Sequence, residues 1–362
     1  MAINRNLSIL AQGASSTGNL LNYTGANKII NGDMMIDQRN AGASQAITAS
    51  RVYCLDRWCV RGITGSGHTI QQVTDAPVAY KNSLKVTIGT GGTPSASDAN
   101  YIAQFIEGNQ VTDLGFGGAS AKTIAVSFWV KSSVTGTFTA PIFNGAYTRS
   151  YLATYVVSVA NTWEQKSIII PGDTSGTWVL TSSTGFVIQF DLGSGTSLQN
   201  TAGGWYNTEY DGATGATRII TTSGATIQWT GVKIEVGTVA TPFVPDDYGT
   251  SLAKCQRYFA KWSGVNAIVS LAYQLSSTQG YAVIKLPVSL RAAATIAYTG
   301  TPKMDFAGSS GSINGMSQAG GYGPMFDTQW IYATSTGLAA GNGVCGILTC
   351  ATNGVVTLDA EL

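Results

Sequence analysis

Seven residues between two glycine turns combine the side chains that a sugar-binding site needs. Gly203-Gly204 precedes this segment and Gly212 follows it. Aromatic rings can stack on a pyranose, and amide and carboxylate groups can form hydrogen bonds with its hydroxyl groups. The same rings also suit a structural role, in which they cap the open end of a β-sandwich. The candidate ligand-binding residues are Trp205, Tyr206, Asn207, Glu209, Tyr210 and Asp211.

Two carboxylates of this segment, Glu209 and Asp211, are oxygen ligands of the kind that Ca²⁺ binds. Two are too few to predict a calcium site, so we expect no metal and no cofactor. Acid–base pairs at Asp37–Arg39 and Asp56–Arg57 lie near Trp58 and could form a second saccharide subsite. Such pairs more often form structural ion pairs over which the indole packs.

Catalytic motifs are scarce in this sequence. The single histidine, His68, has no nucleophile pattern near it, and no G-x-S-x-G motif occurs. Glycine-rich segments at Gly89–Thr93 and Gly115–Gly118 lack the lysine that a phosphate-binding loop requires. A glycosidase needs two carboxylates at a set separation, and the sequence places no such pair. We therefore expect that the protein is not an enzyme.

The charge balance argues against nucleic-acid binding and against a polybasic membrane-surface protein. Only 11% of the 362 residues are charged, well under the average of about 25%, and the net charge is +1. No run approaches the ~18 apolar residues of a membrane span. We therefore expect no nucleic-acid partner and no membrane insertion. At this length, with 44% hydrophobic residues, two domains are the default.

The five cysteines predict a chain made in a reducing compartment. Cys54 and Cys59 are five residues apart, as are Cys345 and Cys350, and residues five apart on a strand face opposite sides. Neither pair therefore suits a disulfide or a shared metal. Met1–Leu10 lacks the basic and apolar regions of a secretory signal peptide, so we expect assembly in a cytoplasm.

Short strands and glycine-rich turns predict a jelly-roll-like β-sandwich over residues 41–245. Apolar and polar positions alternate in Ile124–Val130, which indicates a half-buried strand. Ile168–Ile170 is a continuous apolar run, which indicates a strand covered on both faces. The predicted strands are Arg51–Val60, His68–Val73, Ser83–Ile88, Asn100–Ile106, Thr123–Lys131, Gly136–Pro141, Ser150–Val159, Glu164–Pro171, Thr184–Leu192 and Ala225–Val236.

A joint follows the sandwich. Alternating apolar residues from Val232 to Val236 predict a last strand, and Pro242 and Pro245 fix an extended corner. Apolar residues then recur at spacings of three, four and three, which predicts one short linking helix over residues 246–262. The residues of this apolar stripe are Leu252, Cys255, Phe259 and Trp262.

Residues 263–362 are predicted to form a smaller C-terminal β domain. Its predicted strands are Ala267–Tyr273, Tyr281–Leu286, Thr295–Tyr298, Trp330–Ala333, Cys345–Thr349 and Val355–Leu358. The segment Asp305–Gly323 is rich in glycine and serine, which predicts a surface loop. Aromatic residues cluster at the exit of this loop. They form a candidate receptor-contacting tip or subunit contact: Tyr322, Phe326, Trp330 and Tyr332.

Residues 1–40 complete the predicted organisation. The first 26 residues are polar, small and short of aromatics, so they cannot bury a core alone. We expect an extended N-terminal arm, which either orders against a partner or remains a floppy terminus. The predicted fold class is all-β: the arm, a jelly-roll-like sandwich, one short helix and a smaller C-terminal β domain.

The joint resembles a known group of proteins. A strand ending in K-I-E-V-G-T-V-A-T-P-F-V-P, followed by Y-G and L-A-K-C-Q-R-Y-F, resembles bacteriophage and prophage tail-fibre or receptor-binding virion structural proteins. The resemblance continues in Asn27–Arg39, Tyr53–Trp58 and Leu286–Thr295. Three sandwich segments are similar to jelly-roll carbohydrate-binding modules: Ser83–Val86, Ser127–Ser133 and Trp163–Asp173.

This resemblance implies a virion protein that is assembled in a host bacterial cytoplasm. It also implies attachment to other virion proteins through residues 1–40, a homotrimeric assembly, and a host cell-surface polysaccharide as ligand. The expected function is a tail-fibre or appendage subunit that contributes to host-surface recognition. Two alternatives stay open: a head-decoration, head-fibre or connector protein with no receptor role, and a stand-alone polysaccharide-binding module.

Overall fold

A computed structural model describes residues 27–62, 67–306, 309–318, 328–336, 338, 344–350 and 354–362. Residues 1–26 of the predicted arm, which spans residues 1–40, lie outside these residues, whereas Ile29, Met34 and Ile36 of its second part are buried. Tyr322 and Phe326 also lie outside them. Contacts divide the chain into two compact units. The first contains residues up to Met34 together with Ala46–Ser50 and Arg61–Asp246; the second contains Met35–Gln45, Arg51–Val60 and Asp247–Leu362.

The described chain is built mainly of strands, which confirms the all-β prediction. In chain order they are β1 (Gln45–Ala46), β2 (Val52–Leu55), β3 (Trp58–Arg61), β4 (Thr69–Val73), β5 (Ser83–Thr87), β6 (Tyr101–Glu107), β7 (Ile124–Ser132), β8 (Gly136–Asn144), β9 (Ser150–Val157), β10 (Glu164–Ile170), β11 (Thr184–Asp191), β12 (Gln199–Asn200), β13 (Trp205–Tyr206), β14 (Gly212–Ala213), β15 (Thr226–Val236), β16 (Phe259–Ser263), β17 (Ala267–Ser276), β18 (Gln279–Lys285), β19 (Thr295–Thr299), β20 (Pro302–Phe306), β21 (Ser309–Gln318), β22 (Thr328–Thr336), β23 (Cys345–Cys350) and β24 (Val355–Asp359). Short 3₁₀ helices span Gly108–Gln110, Thr112–Leu114, Thr196–Leu198 and Ile219–Thr221.

The first sheet of the first unit has the order β4-β5-β15-β7-β10 and is antiparallel. The alternation in β7 sends Val126 and Phe128 into the core, while Trp129 faces outward and stays half-buried. The prediction for Ile168–Ile170 is wrong in one respect, because Ile169 is exposed. Residues of β10 alternate between more buried and exposed positions, because only one face of its sheet packs against the second sheet.

A second sheet packs against the first to form a sandwich. Its strands in the first unit have the order β13-β9-β8-β11-β6. Aromatic rings fill the space between the sheets: Phe128 lies 5.0 Å from Tyr155 and 4.9 Å from Phe190, measured between ring centroids. Both pairs meet edge to face, the arrangement that ring quadrupoles favour. The jelly-roll-like sandwich that the sequence predicted is therefore present.

In the second unit six strands close into a barrel, in the order β17-β18-β22-β21-β20-β23. Its interior holds Ile284, Met304, Ile331 and Leu348, each with no exposed surface. A three-stranded sheet, β16-β24-β19, belongs to the same unit. This arrangement confirms the predicted smaller C-terminal β domain. No helix in the described residues is long and apolar enough to cross a membrane.

The linking helix is shorter than predicted. Helix α1 spans Tyr248–Gln256, and Asp247 caps its N-terminus: the Asp247 carboxylate accepts a hydrogen bond from the backbone N–H of Thr250 at 3.1 Å. The prediction that the helix continues to residue 262 is wrong, because Phe259–Ser263 forms β16 and pairs with β24. The spacing of the apolar residues Phe259 and Trp262 suited a helix. Pairing with the distant strand β24 nevertheless determines the secondary structure of this segment.

The acid–base pairs near Trp58 lie inside the second unit. Asp56 and Arg57 form the turn between β2 and β3, so the single strand predicted over residues 51–60 is instead a hairpin. The Arg57 guanidinium carbon lies 3.4 Å from the centre of the Tyr258 ring, and Arg57 pairs with Glu361. Trp58 has no exposed surface. These contacts favour the structural interpretation of the pairs over a saccharide subsite.

Candidate functional site

The Trp205 segment lies at the edge of the second sheet. Strand β13 pairs with β9 in antiparallel register, with Trp205 opposite Tyr151 and Tyr206 opposite Ser150. Two further bonds hold the flanking residues: the backbone N–H of Gly203 donates to the Leu152 carbonyl at 2.8 Å, and the Ser150 hydroxyl donates to the Thr208 carbonyl at 2.6 Å. The segment is therefore attached to a core strand along its length.

The Trp205 indole is fixed by a cluster of aromatic rings. Its ring centroid lies 5.3 Å from that of Tyr151, 5.8 Å from Phe116 and 5.9 Å from Trp178. Its Nε1–H donates to the Pro171 carbonyl at 3.0 Å. The side chain remains half-buried, so part of the ring is open to solvent. The structure is thus compatible with both the structural and the ligand-binding interpretation of Trp205. The ring packs against the core, and part of it is open to solvent.

A buried ion pair supports the same ring. Arg149 donates to both carboxylate oxygens of Asp173, at 2.7 and 2.6 Å, and both side chains are almost fully buried. The guanidinium carbon lies 5.6 Å from the centre of the Trp205 ring, within cation–π range. A third guanidinium nitrogen donates to the Asn207 side-chain oxygen. Arg149 therefore positions one aromatic and one amide side chain of the predicted set.

Sequence reasoning missed Arg149 and Asp173 as members of this site. Arg149 lies 58 residues before Asn207 and 24 residues before Asp173. No local pattern marks Arg149, because its role depends on pairings of distant strands. Asp173 ends the segment Trp163–Asp173, but the resemblance of that segment concerned the fold rather than this contact.

Two tyrosines extend the surface beside the indole. The Tyr206 hydroxyl donates to the Thr201 carbonyl at 2.6 Å, and its ring meets Tyr210 edge to face at 5.2 Å. Both rings are half-buried, while Asn207 and Thr208 are exposed. Four of the six predicted residues, Trp205 through Asn207 and Tyr210, are therefore brought to one surface region with their side chains held by neighbours.

The two carboxylates of the segment differ sharply in environment. Glu209 is half-buried, and burial raises its pKa despite the opposing charge of Arg61. Asp211 is fully buried, so it cannot touch a ligand at the surface. Among the residues that the structure describes, neither carboxylate oxygen of Asp211 has a hydrogen-bond partner. Burial, and then the neighbouring charges of Glu209 and Asp191, raise the pKa of Asp211 well above its ordinary value.

Asp191 is the second buried carboxylate here. One of its oxygens accepts hydrogen bonds from the backbone of Gly193 and from the backbone and hydroxyl of Ser194, at 2.7–3.0 Å. Burial nevertheless raises its pKa to about 6. Within the described residues, no group of three or more acidic, histidine or cysteine side chains has the arrangement of a metal site. The environment therefore favours the protonated form for Asp211, whereas Asp191, with a pKa of about 6, is mostly ionised at neutral pH.

The second set of candidate residues lies on the barrel. Trp330 and Tyr332 belong to β22 and are half-buried, and Tyr332 meets Tyr281 of β18 at 5.6 Å between ring centroids. Trp330 and Tyr281 line an open apolar groove of about 730 Å³ together with Leu271 of β17. Strand β17 also exposes large apolar side chains to solvent, namely Ile268, Leu271, Tyr273 and Leu275.

All five cysteines lie in the described part of the chain, and none forms a disulfide. Cys345 is exposed, whereas Cys54, Cys59, Cys255 and Cys350 are buried. Burial raises the pKa of both Cys54 and Cys59 to about 12. The buried thiols therefore behave as small apolar core groups.

Comparisons with known proteins give a likeness of fold. No family model and no curated protein matches the chain. Among solved structures, it is similar to the enzymatically active domain of tailspike protein 4 from bacteriophage CBA120, at 13% identity and a TM-score of 0.33, over 59% of this chain and 22% of that one. It is also similar to a putative sugar-binding protein from Bacteroides thetaiotaomicron, at 12% identity and a TM-score of 0.34, over 58% of this chain and all of the other.

A third similar structure is the CBM22-1 xylan-binding domain from Paenibacillus barcinonensis Xyn10C. It shares 11% identity with a TM-score of 0.29, over 54% of this chain and 100% of that domain. The chain spans only about a fifth of the tailspike chain that it matches. At these values the similarity assigns neither a family nor a ligand to this chain.

Proposed function

We propose that this protein is a structural subunit of a bacteriophage tail fibre or similar appendage, and that its first unit binds a host cell-surface polysaccharide. The observation that carries the binding role is the half-exposed Trp205 ring, held by Arg149 and by the Pro171 carbonyl beside Tyr206 and Tyr210. The virion role rests on the sequence blocks around Lys233–Pro245 and on their resemblance to virion structural proteins.

The geometry suits a saccharide for an energetic reason. Ordering a mobile aromatic side chain on binding costs conformational entropy. Here the indole is already fixed by a hydrogen bond and three ring contacts, and Asn207 is fixed by Arg149. A pyranose stacking on the exposed part of the ring therefore meets a preorganised surface. No proton transfer or nucleophile enters this proposal, so the protein acts as a binding subunit and not as an enzyme.

The assembly part of the proposal places the protein in the virion as a homotrimer that attaches to other virion proteins through residues 1–40. The apolar side chains that β17 exposes support a contact between subunits, because monomeric soluble proteins rarely expose contiguous apolar surface of this kind. Light scattering on the purified full chain tests the trimer. A monomer at all concentrations would favour the alternative of a stand-alone polysaccharide-binding module, whose site residues all lie in the first unit.

The binding role is tested by replacing the indole. We expect Trp205→Ala to weaken binding of a soluble oligosaccharide about 30-fold, which corresponds to about 2 kcal/mol, because a central aromatic contact is lost. Calorimetric titration with an oligosaccharide that the unmodified chain binds gives the affinity without avidity from a trimer.

A matched control is Trp330→Ala, which removes a half-buried indole from the second unit. We expect it to leave the affinity for the oligosaccharide unchanged. Equal losses in the two variants would remove Trp205 from the site. A full chain that binds no polysaccharide in a broad panel would end the receptor-binding part of the proposal and favour a head-decoration or connector role.

A further inference from the structure

The outer face of the first sheet carries a groove of about 660 Å³, which is lined by both polar and apolar side chains. Its floor is formed by side chains of β7 and β10, and its wall by the segment Thr238–Pro242, which follows β15. The groove lies wholly within the first unit, and none of the candidate residues of the Trp205 segment lines it. Its volume falls within the range of about 300–1,000 Å³ that small-molecule sites occupy.

The strand register determines which side chains form the floor. Ser167 of β10 lies opposite Ser127 of β7, and Gln165 lies opposite Trp129. Because side chains alternate along a strand, these four residues share the outward face of the sheet. Gln165 and Ser167 are exposed, and Trp129 is half-buried. The floor therefore offers the exposed Gln165 amide and Ser167 hydroxyl, with the buried Ser127 opposite Ser167 and the exposed Ile169 next along β10.

A buried ion pair fixes the wall. Lys233 and Glu235 both leave β15 on its outward side, their side chains are almost fully buried, and their charged groups are 3.1 Å apart. Glu235 accepts hydrogen bonds at 2.7 Å from the backbone N–H and from the hydroxyl of Thr241. Lys233 donates to the Thr241 hydroxyl and to the Pro242 carbonyl, the latter at 3.2 Å.

These contacts give a physical role to the K-I-E-V-G-T-V-A-T-P sequence. Burying two charges carries a desolvation cost, which is offset only where the geometry is good and further hydrogen bonds form. Here both charged groups also form hydrogen bonds with Thr241 or Pro242, so the segment that follows the strand is held in one position. The wall of the groove is thereby preformed before any ligand arrives.

The lining favours an uncharged ligand rich in hydroxyl groups. Lys166, the charged side chain of the lining, pairs with Glu164 at 2.6 Å, and the Lys233–Glu235 pair behind the wall is neutral overall. An anionic ligand would find no unpaired cation among these lining residues. Serine hydroxyl groups and the glutamine amide both donate and accept hydrogen bonds, which matches the hydroxyl groups of a sugar.

We infer that this groove is a second saccharide-binding site, which takes a neutral oligosaccharide segment. Gln165 and Ser167 provide hydrogen bonds to its hydroxyl groups, and the exposed apolar side chains of Ile169 and Val239 pack against the apolar faces of its rings. The inference rests on the proposed polysaccharide-binding function, and it assigns two separate contact sites to the first unit. A long polysaccharide chain would then be bound at two places on one subunit, which raises its effective concentration at each site.

The experiment counts binding sites on the full chain. The probes are neutral hexasaccharides, one each from a glucan, a galactan, a xylan and a mannan, titrated by calorimetry into the unmodified protein. The groove variant is Gln165→Leu combined with Ser167→Val, which removes polar groups from exposed positions without opening the core. We expect two sites per chain, with the affinity of one lowered at least tenfold in the groove variant.

Two further variants separate the sites. Trp205→Ala should remove the other site and leave the groove site intact, and the combination of all three substitutions should abolish binding. Gln71→Leu is the matched control, because Gln71 lies on β4, an outward position of the same sheet away from the groove. It should change neither affinity nor site number, and thermal unfolding of each variant verifies that the fold is retained.

The possible failures are distinguishable. One site per chain, lost in Trp205→Ala and unchanged in the groove variant, would overturn the second site and leave the proposed function standing. Loss of all binding in the groove variant, with Trp205→Ala unchanged, would keep the groove and remove the Trp205 site. Absence of binding to every probe by the unmodified chain would overturn both.

Discussion

Both units bury charged groups beside aromatic rings, but the neighbours of these groups differ. In the first unit Arg149 fixes Asn207 and the half-exposed Trp205 ring, and Glu235 fixes Thr241 in the groove wall. In the second unit Arg57 lies over the buried Tyr258 ring and pairs with Glu361. Similar residue types therefore position surface groups in one unit and stabilise an interior in the other.

The difference shows what distinguishes a binding site from a structural cluster. Asp56-Arg57-Trp58 and the Trp205 segment look alike as sequence, since each combines an indole with polar groups. Trp58 has no exposed surface, whereas Trp205 keeps part of its ring in solvent. Only an exposed ring can stack on a sugar, so exposure of the indole separates the two cases.

The largest expected effect comes from a substitution in the buried cluster of Arg57, Tyr258 and Glu361 in the second unit. Arg57→Met should leave the buried Glu361 carboxylate with Arg39, at 3.1 Å, as its remaining cation, so the cost should lie at or below the lower end of the range of about 3–5 kcal/mol for removing one partner of a buried pair. We expect the unfolding transition of the second unit to move to clearly lower urea concentration. Because the Trp205 segment lies in the first unit, oligosaccharide binding should persist.

The control for this variant is Asp113→Asn, which breaks the Lys28–Asp113 pair at a position where the carboxylate side chain is 49% exposed. Exposed pairs contribute about 0–1 kcal/mol, so stability should change little. No measurable effect of Arg57→Met would mean that Arg39 alone satisfies the Glu361 carboxylate, and the contrast between the units would then fail.

The second prediction concerns pH and the buried acids of the first unit. Asp191 and Asp211 have raised pKa values in the folded chain, so the folded state binds more protons than the unfolded state above pH 3.8. Their contribution to the free energy of unfolding is therefore most favourable below that pH, and it is lost as the pH rises. For Asp191 the loss extends to about pH 6 and amounts to roughly 3 kcal/mol.

Asp211→Asn tests the predicted direction of this pH dependence. The amide has the shape of the carboxyl group but cannot ionise. We expect the variant and the unmodified chain to have similar unfolding free energies at pH 4. At pH 7 the variant should be the more stable, as measured by urea unfolding. If the variant is instead less stable at pH 7, and chelators destabilise only the unmodified chain, the two carboxylates hold a cation.

The sequence predicts those features that depend on local periodicity. The alternation in Ile124–Val130 indicates β7 correctly, and the alternation from Val232 to Val236 indicates the end of β15. The same reasoning fails at Phe259, where helical spacing continues but pairing with β24 makes a strand. Local pattern carries no information about a partner strand about 100 residues away.

For the candidate site, too, sequence reasoning finds the residues that are neighbours in the chain and misses those that depend on strand pairing. Trp205, Tyr206, Asn207 and Tyr210 are visible in sequence because they are neighbours in the chain and share one surface region. The support from Arg149 is invisible, because it depends on how β9 and β13 pair. The burial of Asp211 is invisible for a related reason: the segment that contains it covers the second sheet, where Ala213 donates to the Thr139 hydroxyl at 2.9 Å.

The smallest expected effect is a change in thiol reactivity that reports on the second unit. The attacking species in thiol labelling is the thiolate, and at pH 8 a thiol with a pKa of about 12 is ionised in only about one part in ten thousand. Cys54 and Cys59 should therefore stay unlabelled in the folded chain, while the exposed Cys345 reacts quickly. We expect one rapidly labelled thiol per chain, and none after Cys345→Ser. In Arg57→Met the buried thiols should label faster only if the interior opens, because Arg57 lowers the pKa of Cys59 and its removal alone would slow labelling of that thiol. Rapid labelling of a second thiol in the unmodified chain would show that this interior opens easily, and the second unit would then lack the closed cluster that distinguishes it from the first.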